Sequence, residues 1–276
     1  MANRAEELRW AGPPRGVLRA PAPDGRIEAR RVLPPAGLSA FVHHVWSVRW
    51  ALRTPFTAET LPHPSVQVLL EETGGAQRAE IAGVRTGRFA RTLTGEGQVF
   101  GIAFRPAAFQ ALLRASMTSL TDRVVAAGDV LGTDTNAWAR AILAEPDLAE
   151  KVAMADAFLG RLLPPMHARV ARVRDLVERM AIDRSLVRVE DVSDASGLDV
   201  RALQRCFGRY VGVNPKWVIQ RYRLHEASEQ LRSQHPPALA ALAATLGYAD
   251  QSHFARDFKR VIGQTPRSFA RTRRGS

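Results

Sequence analysis

The sequence predicts an α+β protein, with a β-rich N-terminal domain with flanking helices, followed by an all-α C-terminal domain of two helix-turn-helix units joined by a long helix. Three observations predict this class: alternating apolar residues between 41 and 104, helical spacing from about 118 onward, and an internal repeat near the C-terminus. We expect a loosely ordered lead-in at 1–30, the β-rich domain at 31–163 and the helical domain at 166–276.

Composition bounds the class of protein. A chain of 276 residues with 46% hydrophobic content suits two globular domains. No apolar run is long enough to cross a membrane, and the N-terminus has no apolar signal core, which predicts a cytoplasmic protein without a membrane partner. Cys206 is the only cysteine, so an intrachain disulfide and a cysteine-based zinc cluster are excluded.

The charge is large and unevenly distributed. The chain carries a net charge of +12, and residues 165–276 hold 20 basic and 11 acidic side chains, a net of +9. A GC-rich genome would explain arginine in place of lysine, but it would not explain the asymmetry between the two halves. A basic C-terminal region is expected of a module that binds a polyanion.

Three segments of the N-terminal half alternate as half-buried strands do. They are FVHHVWSVRW (41–50), SVQVLLE (65–71) and QVFGIAF (98–104), and ETGGAQ after the second predicts a hairpin turn. The side chains expected on one face of each strand are Val42, Trp46, Val48 and Trp50 in the first, Val66, Val68 and Leu70 in the second, and Phe100, Ile102 and Phe104 in the third.

Loops and helices frame these strands. GPPRG, PAPDG and LPPAG predict the loosely ordered lead-in. Pro106 suits the first turn of a helix whose apolar stripe includes Phe109, Leu112 and Leu113. Residues 118–163 are expected to be helical, and LLPPMH (162–167) is the best domain boundary.

The repeat is the most informative feature. Five residues recur 51 positions later: Leu203, Phe207, Val211, Gly212 and Pro215 return as Phe254, Phe258, Ile262, Gly263 and Pro266. Each copy follows a shorter apolar helix that ends at a glycine, Gly197 or Gly247. The sequence therefore predicts two helix-turn-helix motifs, at about 187–212 and 237–263, joined by a long helix over 217–231.

The repeat also sorts the side chains of each second helix. Apolar residues at i, i+4 and i+8 must face the core, which leaves polar and basic side chains outward. Such side chains bind base edges or phosphates when a helix enters the major groove. The predicted DNA-binding residues are Arg201, Gln204, Arg205 and Arg209 in the first unit and Gln251, Ser252, His253, Arg256, Lys259 and Arg260 in the second.

Residues 170–271 resemble the DNA-binding domain of AraC/XylS-type bacterial transcription regulators. LAALAATLGYADQSHFARDFKRVIGQTPRSF matches that family's signature almost throughout, whereas VSDASGLDVRALQRCFGRYVGVNPKWV departs from it at Ser193 and Asp199. The resemblance implies a seven-helix domain with two recognition helices acting at promoters. LPHPSVQVLLEE, VRTGRF and VFGIAFRPAAFQALL are similar to the sensor-like domain of one branch of these regulators, and we assign no ligand residues there.

Other classes find less support in the sequence. There is no GxSxG, Walker loop, dinucleotide fingerprint or HExxH, so we expect no enzyme and no cofactor. The alternative is a DNA-repair or other DNA-acting protein that uses the helical module only for docking on DNA, since the same module occurs beside alkylation-repair domains. Catalysis by Cys206 is not expected, because this residue falls within a predicted recognition helix, where it would serve packing. His43, His44 and His63 suggest a metal site only weakly, because neighbours on a strand face opposite sides.

The sequence therefore predicts a sequence-specific transcription regulator whose two recognition helices read successive major grooves at a promoter. Double-stranded DNA is the expected partner, and RNA polymerase, a small-molecule effector and a second copy of the chain are further candidate partners. The N-terminal domain is the expected site of effector binding or dimerisation.

Overall fold

The structure, a computed structural model, describes residues 24–132 and 135–271. Most of the predicted lead-in, residues 1–23, lies outside the described residues. Its last part is not loose, because the strand Gly25–Val32 pairs antiparallel with the next strand over its whole length. The alternation of Ile27 and Ala29 with charged side chains is the signal that the Pro-rich surroundings concealed.

One antiparallel sheet organises the N-terminal half, in the order β1-β2-β5-β3-β4-β6. The strands are β1 (Gly25–Val32), β2 (Val42–Thr60), β3 (Gln67–Thr73), β4 (Ala76–Ala82), β5 (Phe89–Phe104) and β6 (Val124–Ala126). Gly74 and Gly75, both with positive φ, form the predicted hairpin turn between β3 and β4. Long β2 and β5 cross the centre and change register between Leu52 and Phe56.

The predicted faces of β3 and β5 are confirmed, but that of β2 is wrong at one residue. Val42 lies in the main core, whereas Trp46, Val48 and Trp50 belong to a small cluster outside it. Val42 pairs with Phe104 and His44 pairs with Ala103, so β2 has one more residue than β5 at this point. Such an extra residue in one strand is a β-bulge. An extra residue at that point inverts the alternation, so strict spacing in the sequence assigns Val42 to the wrong face.

Two tryptophans lie flat against glycines of the neighbouring strand. Trp46 is opposite Gly101 and Trp50 is opposite Gly97, and a Cβ on either glycine would overlap the facing indole. The Trp46 Nε1 donates to Oε1 of Gln67 at 3.0 Å, and the Trp50 Nε1 donates to the Thr94 carbonyl at 3.2 Å. The two glycines therefore make room for an aromatic layer on this face of the sheet.

The segment after β5 is helical only in part. The helix predicted from Pro106 is shortened to α1 (Gln110–Leu113), because Ala107 has a positive φ of 66°. Phe109 is buried as expected, while Leu112 and Leu113 are half-buried. Within 118–163, β6 replaces helix next to β4, and the described helices are α2 (Gly128–Leu131), α3 (Thr135–Ala144) and α4 (Leu148–Leu162).

Seven helices follow in the part of the C-terminal region that the structure describes. They are α5 (Ala168–Ile182), α6 (Val189–Ser196), α7 (Val200–Tyr210), α8 (Pro215–Leu231), α9 (Leu239–Thr245), α10 (Gln251–Ile262) and α11 (Pro266–Arg271). Pairs α6–α7 and α9–α10 form the two helix-turn-helix units, with α8 between them. The α+β class predicted from the sequence is confirmed.

The hydrophobic core does not divide where the sequence suggests a boundary. A single cluster of buried side chains extends from Val32 on β1 through Phe207 on α7 to Ile219 on α8. The second helix-turn-helix unit has a core of its own around Phe254 and Phe258, which also includes Leu61 from the N-terminal half. The first unit is therefore packed as part of the N-terminal domain.

Candidate nucleic-acid interface

The first helix-turn-helix unit is built by a tight turn and a cap. Gly197 has a φ of 68°, which ends α6 in the left-handed conformation that glycine adopts without strain. The Ser193 hydroxyl donates to the Leu198 carbonyl across this turn. The Asp199 carboxylate accepts from the backbone N–H of Ala202 at 2.8 Å and caps α7. Both departures from the family pattern therefore stabilise the turn.

The second unit repeats this construction. Gly247, with a φ of 70°, forms the turn, and the Asp250 carboxylate accepts from the His253 backbone N–H at 2.7 Å. This hydrogen bond is the largest cause of a lowered pKa at Asp250. Phe254 and Phe258 are fully buried below α10. The charged cap and buried aromatics fix how α10 projects from the domain.

The structure brings the predicted residues of α7 to the surface. Leu203, Phe207 and Tyr210 are buried beneath the helix. The four predicted contacts are all exposed, namely Arg201, Gln204, Arg205 and Arg209. An α-helix with a buried apolar stripe and three exposed guanidinium groups can enter a groove and bind an anionic backbone.

The predicted residues of α10 also lie at the surface, and two of them contact other side chains. Five are exposed, namely Ser252, His253, Arg256, Lys259 and Arg260, and Gln251 is half-buried. The His253 ring lies edge-on to Tyr248, with ring centroids 5.3 Å apart. Nη2 of Arg260 donates to Oδ1 of Asp257 at 2.8 Å, so this arginine is held within its own helix.

Two pairs of arginines occupy equivalent positions in the repeat: Arg205 with Arg256, and Arg209 with Arg260. In the second pair, the neighbouring side chains differ. Arg205 and Arg256 are both exposed. Arg209 and Arg260 differ, because Asp257 beside Arg260 is replaced by Cys206 in the first unit. Arg205 and Arg256 are therefore the best-matched cations of the two recognition helices.

The connecting helix α8 holds the two units together. The Arg223 guanidinium donates to the Val187 carbonyl just before α6 and lies over the Tyr248 ring after the turn of the second unit. Burial lowers the pKa of Arg223. Arg184, in the loop after α5, pairs with Glu226 of α8 at 2.6 Å. The spacing of apolar residues predicts the helix, but these polar contacts were not anticipated.

Sequence reasoning also missed the contacts between the two halves of the chain. The Thr86 carbonyl, between β4 and β5, accepts from Nη2 of Arg221 at 2.7 Å and from Nε1 of Trp217 at 3.3 Å. Arg105 after β5 pairs with Glu178 of α5 at 2.6 Å. Backbone acceptors carry no side-chain signature, so no pattern in the sequence could have identified the first of these contacts.

Neither of the alternative chemistries gains support from the geometry. The Cys206 thiol is half-buried in α7, and its burial raises its pKa, which keeps it protonated and weakly nucleophilic. His43 and His44 are close, with Nδ1 atoms 2.8 Å apart, and His63 stacks on His225. Within residues 24–132 and 135–271, no group of three or more His, Cys, Asp or Glu side chains is arranged to hold a metal ion.

None of the helices that the structure describes combines the length and the apolar character that crossing a bilayer requires.

Two family models match different parts of the chain. Residues 192–272 match a family described as a helix-turn-helix domain, and residues 30–126 match a family described as "Domain of unknown function (DUF6597)". The first match covers both recognition helices. The second covers the sheet except for the first five residues of β1, and its description gives no activity.

The relatives are named as transcription regulators. The chain is 31% identical over 87 residues to the HTH-type transcriptional activator RhaS of Escherichia fergusonii, a match covering 32% of this chain and 31% of that protein. It is 33% identical over 78 residues to a protein of Streptomyces lividans named "Putative AraC-like transcription regulator", covering 28% and 25%. RhaS of Pectobacterium carotovorum is 30% identical over 77 residues, covering 28% and 27%. These matches span about a third or less of each relative, and they confirm the AraC-type resemblance of the helical region.

Two solved structures are also similar. A probable AraC family transcriptional regulator from Rhodopseudomonas palustris is 25% identical with a TM-score of 0.33, covering 37% of this chain and 95% of that one. ToxT from Vibrio cholerae is 11% identical with a TM-score of 0.42, covering 90% and 98%.

Proposed function

We propose that this chain, whose C-terminal region is an AraC-type helix-turn-helix domain, is a sequence-specific transcription regulator that binds promoter DNA through α7 and α10. The observation that carries the proposal is the repeated reader: two capped helices, each with buried apolar residues and with an exposed arginine at the same position, Arg205 and Arg256. In this mechanism the two helices occupy successive major grooves on one face of the duplex.

Affinity and specificity come from different atoms. The net charge of +9 over residues 165–276 supplies a sequence-independent attraction to phosphates, which weakens as salt rises. Specificity requires side chains that reach base edges, and the exposed Gln204, Ser252 and Arg256 have suitable donors or acceptors. Arg260 is expected to contribute less than Arg256, because Asp257 already accepts one of its N–H groups and offsets its charge.

The proposal extends to the N-terminal domain as the regulatory part. Residues 1–164 carry a net charge of only +3, and residues 25–126 form a sheet with its own aromatic layer. Both features suit a small effector or pairing with a second copy better than DNA. Thermal-shift screening with a mass measurement in solution tests both roles. A monomer that no compound stabilises would count against both. RNA polymerase is the further partner implied if the bound site lies at a promoter, and a regulator of bacterial genes acts in the cytoplasm.

The test of the proposed function is selection of binding sites from random duplex DNA by the full-length protein at a fixed, stated salt concentration. Full-length protein is required because the first unit shares its core with the N-terminal domain. Enrichment of two short boxes about one helical turn apart, ~34 Å, is expected. Salt-dependent binding without enrichment would make the protein a nonspecific DNA binder and refute the proposal.

A further inference from the structure

Two loops of the N-terminal domain form one hydrogen-bonded unit, which we name the loop pair: residues 83–88 and 116–123. The Gly83 N–H donates to the Arg123 carbonyl at 3.0 Å, and the Asp122 N–H donates to the Val84 carbonyl at 2.9 Å. Asp122 also accepts from the Thr86 backbone N–H at 2.7 Å and from its hydroxyl at 2.6 Å. The two loops therefore move together.

The loop pair contacts the C-terminal end of the first recognition helix. The Thr121 hydroxyl donates to the Gly212 carbonyl at 2.6 Å, and the Ser116 hydroxyl donates to the Gly208 carbonyl at 3.2 Å. Gly212 has a φ of 93°, and a Cβ there would lie 3.0 Å from the Met117 carbonyl oxygen. The turn after α7 is thus held against the backbone of the N-terminal domain.

The same loop pair contacts the C-terminal end of the second recognition helix. A Cβ on Gly263, which follows α10 with a φ of 88°, would overlap the guanidinium of Arg88. A cation at this end of a helix is favoured by the partial negative charge of the last carbonyl groups. Gly212 and Gly263 are equivalent in the repeat, 51 residues apart. The loop pair therefore contacts both recognition helices at the equivalent position, the glycine after the C-terminal end.

A third contact lies between these two. Arg221 and Trp217 of the connecting helix α8 both donate to the Thr86 carbonyl, and the Arg221 guanidinium lies over the Trp217 ring at 4.5 Å. Arg221 is only 3% exposed, so this hydrogen bond is shielded from water. The first recognition helix and the connector are therefore hydrogen-bonded to the loop pair, and the second recognition helix is in contact with it through Arg88.

We infer that the loop pair sets the separation and orientation of the two recognition helices, and that Thr121, Asp122 and Arg88 are positioning residues for DNA reading. The inference rests on the proposed function, and it assigns to the N-terminal domain control over which spacing between two half-sites is bound. Because residues 83–88 connect β4 directly to β5, a displacement of the sheet is transmitted to both readers at once.

The first test measures the distance between the two units without DNA. Spin labels are placed on cysteines introduced at exposed positions of α6 and α9, Asp194 and Ala244, in a Cys206→Ala background of the full chain. Four chains are compared: the labelled parent, Asp122→Gly, Thr121→Val with Arg88→Ala, and Thr121→Ser. Glycine suits the φ of 57° at Asp122. It removes the carboxylate that accepts from the backbone N–H and the hydroxyl of Thr86.

A narrow distance distribution is expected for the parent and for Thr121→Ser, which keeps the hydroxyl, and a broadened one for the other two variants. Circular dichroism and the melting temperature identify variants that fail to fold. If the folded Asp122→Gly and Thr121→Val/Arg88→Ala chains keep the parent's narrow distribution, the inference is overturned, whatever the protein does with DNA.

The second test measures spacing on DNA. The two boxes selected by wild-type protein are placed on duplexes with the selected spacer and with a spacer half a turn longer, and affinities are compared. The wild type and Thr121→Ser should prefer the selected spacer, and in Asp122→Gly the ratio of the two affinities should fall towards one. Failure of wild type to select any boxes refutes the proposed function, whereas an unchanged ratio in Asp122→Gly refutes only the positioning role.

Discussion

The guanidinium of Arg221 donates a 2.7 Å hydrogen bond to the carbonyl of Thr86, and this contact joins α8, the connector of the two helix-turn-helix units, to the N-terminal half. Burial, with the Arg260 charge as a smaller cause, lowers the pKa of Arg221 to about 10. The side chain therefore remains charged at neutral pH. A buried cation is tolerated only where acceptors meet it, so the contact ties the two halves firmly together.

Arg256→Ala tests base reading by the second helix. Loss of a base contact should weaken binding to the selected site by about 1–3 kcal/mol and leave binding to random DNA much less affected. Dissociation constants for both duplexes at one salt concentration provide the measurement. Arg267→Ala removes the same charge from an exposed position outside both recognition helices and serves as the control. Equal losses on both duplexes would make Arg256 a phosphate contact.

Lys259→Ala tests phosphate contact by the same helix. Removing one phosphate-binding cation should reduce the slope of log K against log salt by about 1, with binding weakened similarly on all sequences. Titrations at four or more salt concentrations give the slope. The control is Arg140→Ala, which removes an exposed charge from α3 in the N-terminal domain. An unchanged slope for Lys259→Ala would place this side chain outside the interface.

Asp250→Ala tests the charged cap of α10 through its dependence on pH. Hydrogen bonding from the His253 backbone N–H, above all, holds the pKa of Asp250 below its usual value of 3.8. A lowered folded pKa means that the stabilising contribution is complete above 3.8 and is lost as the pH falls through the folded value. The melting temperature of wild type should exceed that of Asp250→Ala at neutral pH, and the difference should shrink below pH 3.8.

A neutral cap provides the comparison for that experiment. Asp250→Ser keeps a side-chain acceptor without a titrating charge. Its advantage over Asp250→Ala should therefore not vary with pH across the acidic range. If the difference between wild type and Asp250→Ala is equally constant, the carboxylate charge does not contribute to the cap.

Gly101→Ala tests the aromatic layer on the sheet. A methyl group at this position would overlap the Trp46 indole, and overpacking of this kind should lower the free energy of unfolding by about 1–3 kcal/mol. Denaturant unfolding followed by tryptophan fluorescence measures the loss. Gly160→Ala is the matched control: nothing lies within 4 Å of a Cβ at this exposed position in α4, so alanine should stabilise by up to about 1 kcal/mol. Equal effects would show that Trp46 does not pack on Gly101.

The repeat makes the buried and exposed faces of α7 and α10 predictable from the sequence, because the buried residues of one unit identify those of the other. Phe207 and Phe258 are both buried, and Arg205 and Arg256 are both exposed, as the 51-residue spacing requires. The face of Val42 was mispredicted because alternation does not reveal an extra residue in a strand. Helical apolar spacing likewise did not reveal β6, whose three residues are placed by pairing with β4.

Contacts between the halves were beyond sequence reasoning for a different reason. The Gly212 and Thr86 carbonyls that link the loop pair to the helices belong to the backbone, and every residue has one. Their selection depends on the three-dimensional path of the chain. Asp199 illustrates the opposite case, since its position before a helix predicts the cap that the structure contains.

Because the core is divided unequally, the two helix-turn-helix units should differ in their stability against unfolding. We expect the first unit to unfold together with the sheet, because their apolar side chains belong to one cluster, whereas the second unit has a smaller cluster to which the N-terminal half contributes Leu61. Cooperative units of unequal stability open one at a time. As the protein approaches its limit of stability, we expect it to pass through a form in which only the first unit is folded. If the proposed function is correct, this form would still bind one half-site but would not select the spacing to the other. Under the proposed function, selectivity between sites would then be lost at a lower temperature than DNA binding itself.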